Sequence, residues 1–191
     1  MGIKHIDISN VTYYDLNNQI NIPVNNKIPL EKDKEALQAF LKENVEPNTK
    51  RFSSLEERFK FLIENDYIEK EFVEKYDFEF IKKLYAYLED QHFEFQSFMA
   101  AYKFFNQYAL KTNDGNYYLE TYEDKIAMNA LYMANGDEGL AMRLADELIH
   151  QRYQPATPTF LNVGRKHRGE FVSCFLLQPT DDMNSIGRCI N

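Results

Sequence analysis

The sequence predicts a mainly α-helical domain followed by a single strand and the start of another helix. Three observations carry this expectation. Apolar residues keep helical spacing up to about residue 153. Pro155 and Pro158 then interrupt the pattern. Beyond them, Phe171-Val172-Ser173-Cys174-Phe175-Leu176-Leu177 is short, apolar and rich in aromatic and β-branched side chains, which suits a buried strand.

Taken in order, residues 1–30 are punctuated by Asn10, Asn17, Asn18, Asn21, Asn25 and Asn26 and by Pro23 and Pro29, so an arm or small hairpin is expected. Within it Gln19-Ile20-Asn21-Ile22 alternates like a short strand. Leu30, Leu37, Phe40, Leu41 and Val45 hold helical spacing, and Pro47 stops that segment. Ser53 with Glu56, and Ser54 with Glu57, each fit a capping box ahead of a helix bearing Leu55, Phe59, Leu62 and Ile63 on one face. Short helices are expected around Tyr67–Tyr76 and Phe78–Leu88, then a central buried helix over Phe95–Leu110. Thr112-Asn113-Asp114-Gly115-Asn116 reads as a turn. Leu119–Ala134 and Asp137–Arg152 are the last long helices, divided by Asn135-Gly136. A helix restarts at Asn184. A lone core strand leaves its backbone groups without partners. The sequence therefore reads as cut off just after a sheet or barrel begins, whether as a fragment, a truncated copy or one piece of a split gene.

Composition narrows the function. With 191 residues, 44% hydrophobic and 15% aromatic, the chain can bury one good core. A formal charge of −8 argues against a broad nucleic-acid-binding face, although a local basic pocket at 165–168 is compatible with a nucleotide. No apolar run reaches the length of a membrane span and no signal-peptide core opens the chain. Two cysteines do not make a disulfide scaffold, and a reducing cytoplasmic compartment is the simplest reading. His5, His92, His150 and His167 stand at no ligand spacing, so no metal site is expected. Acidic pairs such as Glu56-Glu57 read as solvated helix faces.

The chemistry concentrates between Gln154 and Leu177. Ser173 and Cys174 put a hydroxyl and a thiol on opposite faces of the expected strand. Cys174 is either a small buried hydrophobe or a redox group. Thr157 is either a Thr-Pro turn residue or a hydroxyl that reaches a ligand without adding charge. Ser173 is open to the same pair of readings. Arg165, Lys166 and Arg168 form either an anion site or a solvated loop. Gly164 and Gly169 lack phosphate-loop spacing. Asp181 is either a turn aspartate or a ligand contact, and Asp182 suits the N-cap of the following helix.

The residues Thr157-Pro158-Thr159-Phe160-Leu161-Asn162, Arg168-Gly169-Glu170, Val172-Ser173-Cys174-Phe175-Leu176 and Asp181-Asp182-Met183-Asn184 resemble the large (catalytic) subunit of ribonucleotide reductase, most closely the class Ib type. The resemblance runs back through Phe98-Met99-Ala100-Ala101-Tyr102-Lys103-Phe104 and Tyr108-Ala109-Leu110-Lys111-Thr112-Asn113-Asp114 and spans nearly the whole chain. It implies three regions. Residues 1–95 would be a helical relative of the ATP-binding cone, residues 96–155 a helical domain, and residues 156–191 the start of a ten-stranded catalytic α/β barrel whose first strand is Phe171–Leu177.

By the same resemblance, Cys174 is one of two thiols that reduce the substrate ribose. Its partner thiol and the radical-bearing cysteine would lie beyond residue 191. Thr157 and Ser173 match residues that bind the ribonucleoside diphosphate, and Asp181 one that contacts a nucleoside triphosphate effector. Cys189 matches no catalytic position and reads as a buried or interfacial thiol. The complete enzyme would be a homodimer that takes its radical from a small dimanganese or diiron subunit and electrons from a glutaredoxin-like thiol reductant. No cofactor is expected in this chain. The competing reading is a non-catalytic helical module or remnant that associates with other reductase pieces.

Overall fold

The computed structural model describes residues 12–20, 22–174 and 176–190. Helix α1 (Tyr13–Gln19) begins at a Thr12 capping box closed by Asp15. Helix α2 (Glu31–Phe40) runs on through a π-helical turn, Leu41–Val45, and a 3₁₀ turn, Glu46–Asn48, that contains Pro47. Helix α3 (Leu55–Glu64) starts at Ser54, and the one-turn α4 (Lys70–Val73) follows. Then come α5 (Phe78–Asp90) and α6 (Phe98–Lys103), the latter extended by a second π turn, Phe104–Tyr108. Helices α7 (Tyr122–Ala134) and α8 (Glu138–Ile149) form the centre. Two short helices close the order, α9 (Thr157–Asn162) and α10 (Met183–Ile190).

The core follows from where the apolar residues fall. Helix α7 buries Ile126, Ala127, Met128, Ala130 and Leu131 on several sides, so neighbours must surround it. Helices α8, α5 and α4 pack around it, while α2 packs against α1 and α6. One apolar cluster reaches from Ala36 to Phe160. Its N-terminal half is aromatic: Phe40 and Phe98 meet edge to face with centroids 5.7 Å apart, and Tyr13 and Tyr102 close around them. Helix ends are capped as the side chains dictate. Ser54, Ser97 and Asp137 each accept the amide three residues on. Asn135 closes α7 in the left-handed region at φ 50°.

Several expectations need correction. Neither expected box closes: Glu56 turns to Lys82 at 2.5 Å, and Ser54 accepts the Glu57 amide while Glu57 reaches back to the Ser53 amide, at 2.8 Å, and not to that of Ser54. The expected strand around Gln19 is largely the end of α1, with Asn21 outside the described residues. The hairpin expectation survives in miniature, as a Val24–Lys27 bridge across Asn25 and Asn26, both at positive φ. Residues 1–11 lie outside the described part. Pro158 does not forbid helix, because it occupies the first turn of α9, where no intrahelical N–H is required.

The largest departure is at 171–177. Val172 is 74% exposed and Leu176 97%, Phe175 lies outside the described residues, and no strand occurs among those described. A strand is buried only by neighbours on both edges and a face. Among the described residues none of them is present beside the segment, so the expected buried strand and barrel start are not seen: Phe171 is half-buried, and residues 172–174 and 176–177 are exposed.

The link between helices and this segment turns at Gly164. Its φ is +73°, and a Cβ there would sit 3.2 Å from Met128 Cε and Phe72 Cζ. The turn lets Glu69 N donate to Gly164 O at 2.9 Å and Lys166 N to Tyr67 O at 3.1 Å. Gly164→Ala should destabilise the chain by about 1–3 kcal/mol through left-handed strain and overpacking together. A urea midpoint within error of the parent would show that Met128 and Phe72 yield without cost.

Candidate functional site

The stretch bearing Ser173 and Cys174 is held by α9, and α9 is held by charges buried under it. Glu120 is 2% exposed and Lys125 fully buried. Lys125 Nζ stands 3.4 Å from Glu120 Oε2 and donates to the Leu161 carbonyl at 3.2 Å. One turn along α7, Asn129 Nδ2 reaches the Phe160 carbonyl at 3.4 Å. Two side chains of α7 thus meet consecutive free carbonyls at the end of α9, where a helix has no internal donors. Glu120 also accepts the Leu110 amide at 2.8 Å and faces Arg165 Nη2 at 3.8 Å, while Arg165 donates to the Tyr108 carbonyl.

A second buried pair adjoins the first. Arg58 Nη1 stands 3.2 Å from Asp124 and 3.0 Å from the Tyr85 hydroxyl, and its Nη2 donates to the Leu119 carbonyl at 3.1 Å. Burial pushes Lys125 down to about 8, against the pull of Glu120. Burial would raise Glu120, but Lys125 and Arg165 outweigh it and hold this carboxyl below its ordinary value. Burial pushes Asp124 up despite Arg58. Burial would lower Arg58, but Asp124, Tyr85 and Glu120 raise it on balance.

The basic run is not an open anion site. Arg165 is turned inward, Lys166 stands 3.8 Å from Glu71, and Arg168 Nε stands 3.1 Å from Glu69 while its guanidinium lies 4.6 Å over the Phe171 ring. Each cation therefore serves to hold the loop against the helices.

Thr157 opens α9 and is exposed, its hydroxyl 3.3 Å from that of Tyr108. It borders a cleft of about 330 Å³ walled by Phe95, Tyr108, Tyr122 and Phe160, with Lys103 at its edge. Ser173 and Cys174 are both exposed, with Oγ and Sγ 4.0 Å apart. Asp181 is exposed as well. Asp182 caps α10 by accepting Ser185 N at 2.9 Å, and its bonds to Thr180 and Ser185 hold it below the usual carboxylate range. Cys189 is half-buried and free. Among the described residues no three His, Cys, Asp or Glu side chains converge. Nor is any helix among them long and apolar enough to cross a membrane.

Polar contacts to the segment that carries Ser173 and Cys174 come from α9, and Tyr132 of α7 sets its ring 6.1 Å from that of Phe171. Thr159 Oγ1 reaches the Phe171 carbonyl at 3.5 Å, and Asn162 holds both Gly169 and Glu170. Neither Tyr108 nor Asn162 was singled out by the sequence reading. Asn162 stood inside the quoted motif, and its role depended on a bond to residues seven and eight positions away.

Comparison with known proteins shows the family. Residues 13–93 match the family described as "Ribonucleotide reductase N-terminal", and residues 94–168 match "Ribonucleotide reductase, all-alpha domain". The chain is 50% identical over 176 residues to "Ribonucleoside-diphosphate reductase NrdEB subunit alpha" of Bacillus subtilis (strain 168), which covers 92% of this chain and 16% of that protein. It is 48% identical over 179 residues to "Ribonucleoside-diphosphate reductase subunit alpha" of the same organism, covering 94% of this chain and 26% of that protein. Against the protein of the same description from Mycoplasma pneumoniae it is 47% identical over 185 residues, covering 25% of that protein. The chain thus spans about a quarter or less of these relatives.

Proposed function

The chain belongs to the ribonucleotide reductase family, among its alpha subunits, and from this we propose that it supplies the N-terminal part of a class Ib enzyme that reduces ribonucleoside diphosphates to deoxyribonucleoside diphosphates. The single observation that carries the reading is the pair of adjoining family matches over 13–168, which leads directly into Ser173-Cys174.

In this reading Cys174 is one of two reducing thiols. The substrate's 2′-hydroxyl leaves as water. Two thiols give up two electrons and two protons and end as a disulfide, which a glutaredoxin-like donor reopens by thiol exchange. The second thiol and the radical cysteine belong to the rest of the alpha subunit, on this polypeptide or another. Thr157 and Ser173 orient the nucleotide by neutral hydrogen bonds. Asp181 meets a nucleoside triphosphate effector in the assembled homodimer. A separate small subunit holds the dimanganese or diiron centre that supplies the radical, and the assembly is cytoplasmic.

The test mixes this chain with a relative's remaining alpha-subunit segment, the small subunit and a thiol donor, and measures deoxynucleoside diphosphate formation. Activity is expected only when all parts are present, and Cys174→Ser should remove it to background. Turnover that survives Cys174→Ser would sink the assignment. A second reading, a non-catalytic piece that associates with other reductase segments, is favoured by the exposure of Val172, Leu176 and Leu177. Binding of the remaining segment without turnover would support it.

A further inference from the structure

We propose that Asn162 is the positioning residue that sets where Ser173 and Cys174 stand relative to the helical domain. The inference rests on the reductase reading only for its consequence in catalysis; the geometry stands without it.

Asn162 is the last residue of α9, and its amide group faces the outgoing chain. Nδ2 donates to the Glu170 carbonyl at 2.9 Å, and Oδ1 accepts the Gly169 amide at 3.1 Å. A primary amide carries a donor and an acceptor side by side. Here it pairs with the amide of one residue and the carbonyl of the next, clasping the chain at two points. The segment beyond has no strand partner among the described residues, so this side chain is the two-point hold on the backbone just before it. A Cβ at Gly169 would stand 3.3 Å from Asn162 Nδ2, so the approach is close.

What lies behind Asn162 is tied to the helical core. The Leu161 and Phe160 carbonyls are held by Lys125 and Asn129 of the central helix. Gly164, two residues after α9, accepts the Glu69 amide at 2.9 Å. Only three residues lie between Gly169 and Ser173, so the direction fixed at 169–170 carries to the hydroxyl and thiol. Arg168, through Glu69 and Phe171, is a rival anchor held by long, rotatable side chains, and Thr159 and Tyr132 reach only Phe171, the former at 3.5 Å.

Two measurements on the whole chain test this. In the parent protein, the Gly169 amide should exchange with deuterium at least about fivefold more slowly than its intrinsic rate, the scale of one hydrogen bond. With Cys189→Ser and Ala86→Cys in place, spin labels at Cys174 and at residue 86 on α5 should give a narrow distance distribution. Asn162→Ala should lose the narrow component while the melting of the helical domain is retained. Asn162→Asp, which keeps the acceptor and loses the donor, should also widen it, and it decides the matter if the alanine variant fails to fold. An unprotected Gly169 amide overturns the proposal, as does a distribution widened by Arg168→Ala but not by either Asn162 variant. Neither readout needs turnover. In the reconstituted assay, Asn162→Ala should lower kcat about tenfold or more, as misplacement of a reacting group does, with a lesser change in KM. Failure of that assay for the parent would count against the reductase reading and leave the two structural measurements to judge Asn162.

Discussion

Glu120→Ala is expected to cost about 3–5 kcal/mol of folding stability, the scale of removing one partner from a buried ion pair. The loss is large because Glu120 has three dependants. Lys125 is left fully buried with a single carbonyl acceptor. Arg165 loses its facing carboxylate, and the Leu110 amide loses its acceptor. Glu120→Gln keeps an acceptor for Leu110 but not the charge, so it should fall between parent and alanine. The acid side carries a sign. Glu120 is held below its ordinary value of 4.5, so its contribution is complete above about that pH and is lost as pH falls through the folded value. The gap between parent and Glu120→Ala in urea unfolding should therefore be widest near neutrality and narrow below about pH 4.5. Lys125 acts in the other range. Held down at about 8, it destabilises while charged, and that penalty is relieved as pH rises from about 8 toward its ordinary 10.5. An alanine variant within about 1 kcal/mol of the parent at pH 7 would mean that water reaches Lys125, contrary to its burial.

This network was the part of the molecule least legible in the sequence. Arg58, Glu120, Asp124 and Lys125 are scattered charges, and scattered charges in a helical chain normally face solvent. Nothing local distinguishes the ones that converge. Arg165 misled in the other direction: within Arg165-Lys166-His167-Arg168 it looks like part of an anion site, yet it points inward. The amphipathic helices were readable because spacing assigns their buried face: Phe40, Val45, Phe59 and Leu62 are buried as the periodicity requires, although Leu30, placed on the same pattern, is 68% exposed. Helix α1 had a signal in Thr12 and Asp15 that the surrounding asparagines outweighed. Helix α9 was hidden by reading proline as a breaker without regard to its position. The π turns at Leu41 and Phe104 have no signature in periodicity, because each only inserts one residue's worth of phase into a pattern that stays apolar. Of the site, the motif gave Thr157, Ser173 and Cys174 as candidates; what holds them could not be read, because it depends on side chains from α7 and on a turn at Gly164.

Phe40→Ala is expected to remove about 3–5 kcal/mol, as large-to-small changes of fully buried aromatics do. Phe40 is 2% exposed and touches rings from three elements: Tyr13 on α1 at 5.3 Å, Phe98 and Tyr102 on α6 at 5.7 and 5.6 Å, and Phe105 in the following π turn at 6.3 Å. The ring is thus the point where α1, α2 and α6 meet, and α1 buries no residue of its own to compensate. At about 2–4 °C per kcal/mol for a chain of this size, the melting temperature should fall by roughly 6–20 °C. Phe40→Leu keeps most of the volume but none of the edge-to-face contacts, and should cost clearly less than alanine. The shape of the transition carries the argument further. Because one apolar cluster joins Phe40 to the α7 core, the variant should still melt in a single transition, with the helical and aromatic signals falling together. Two separated transitions, the earlier one losing only the aromatic signal, would show instead that residues 12–48 fold on their own account and that the mutation severs them from the helices holding α9.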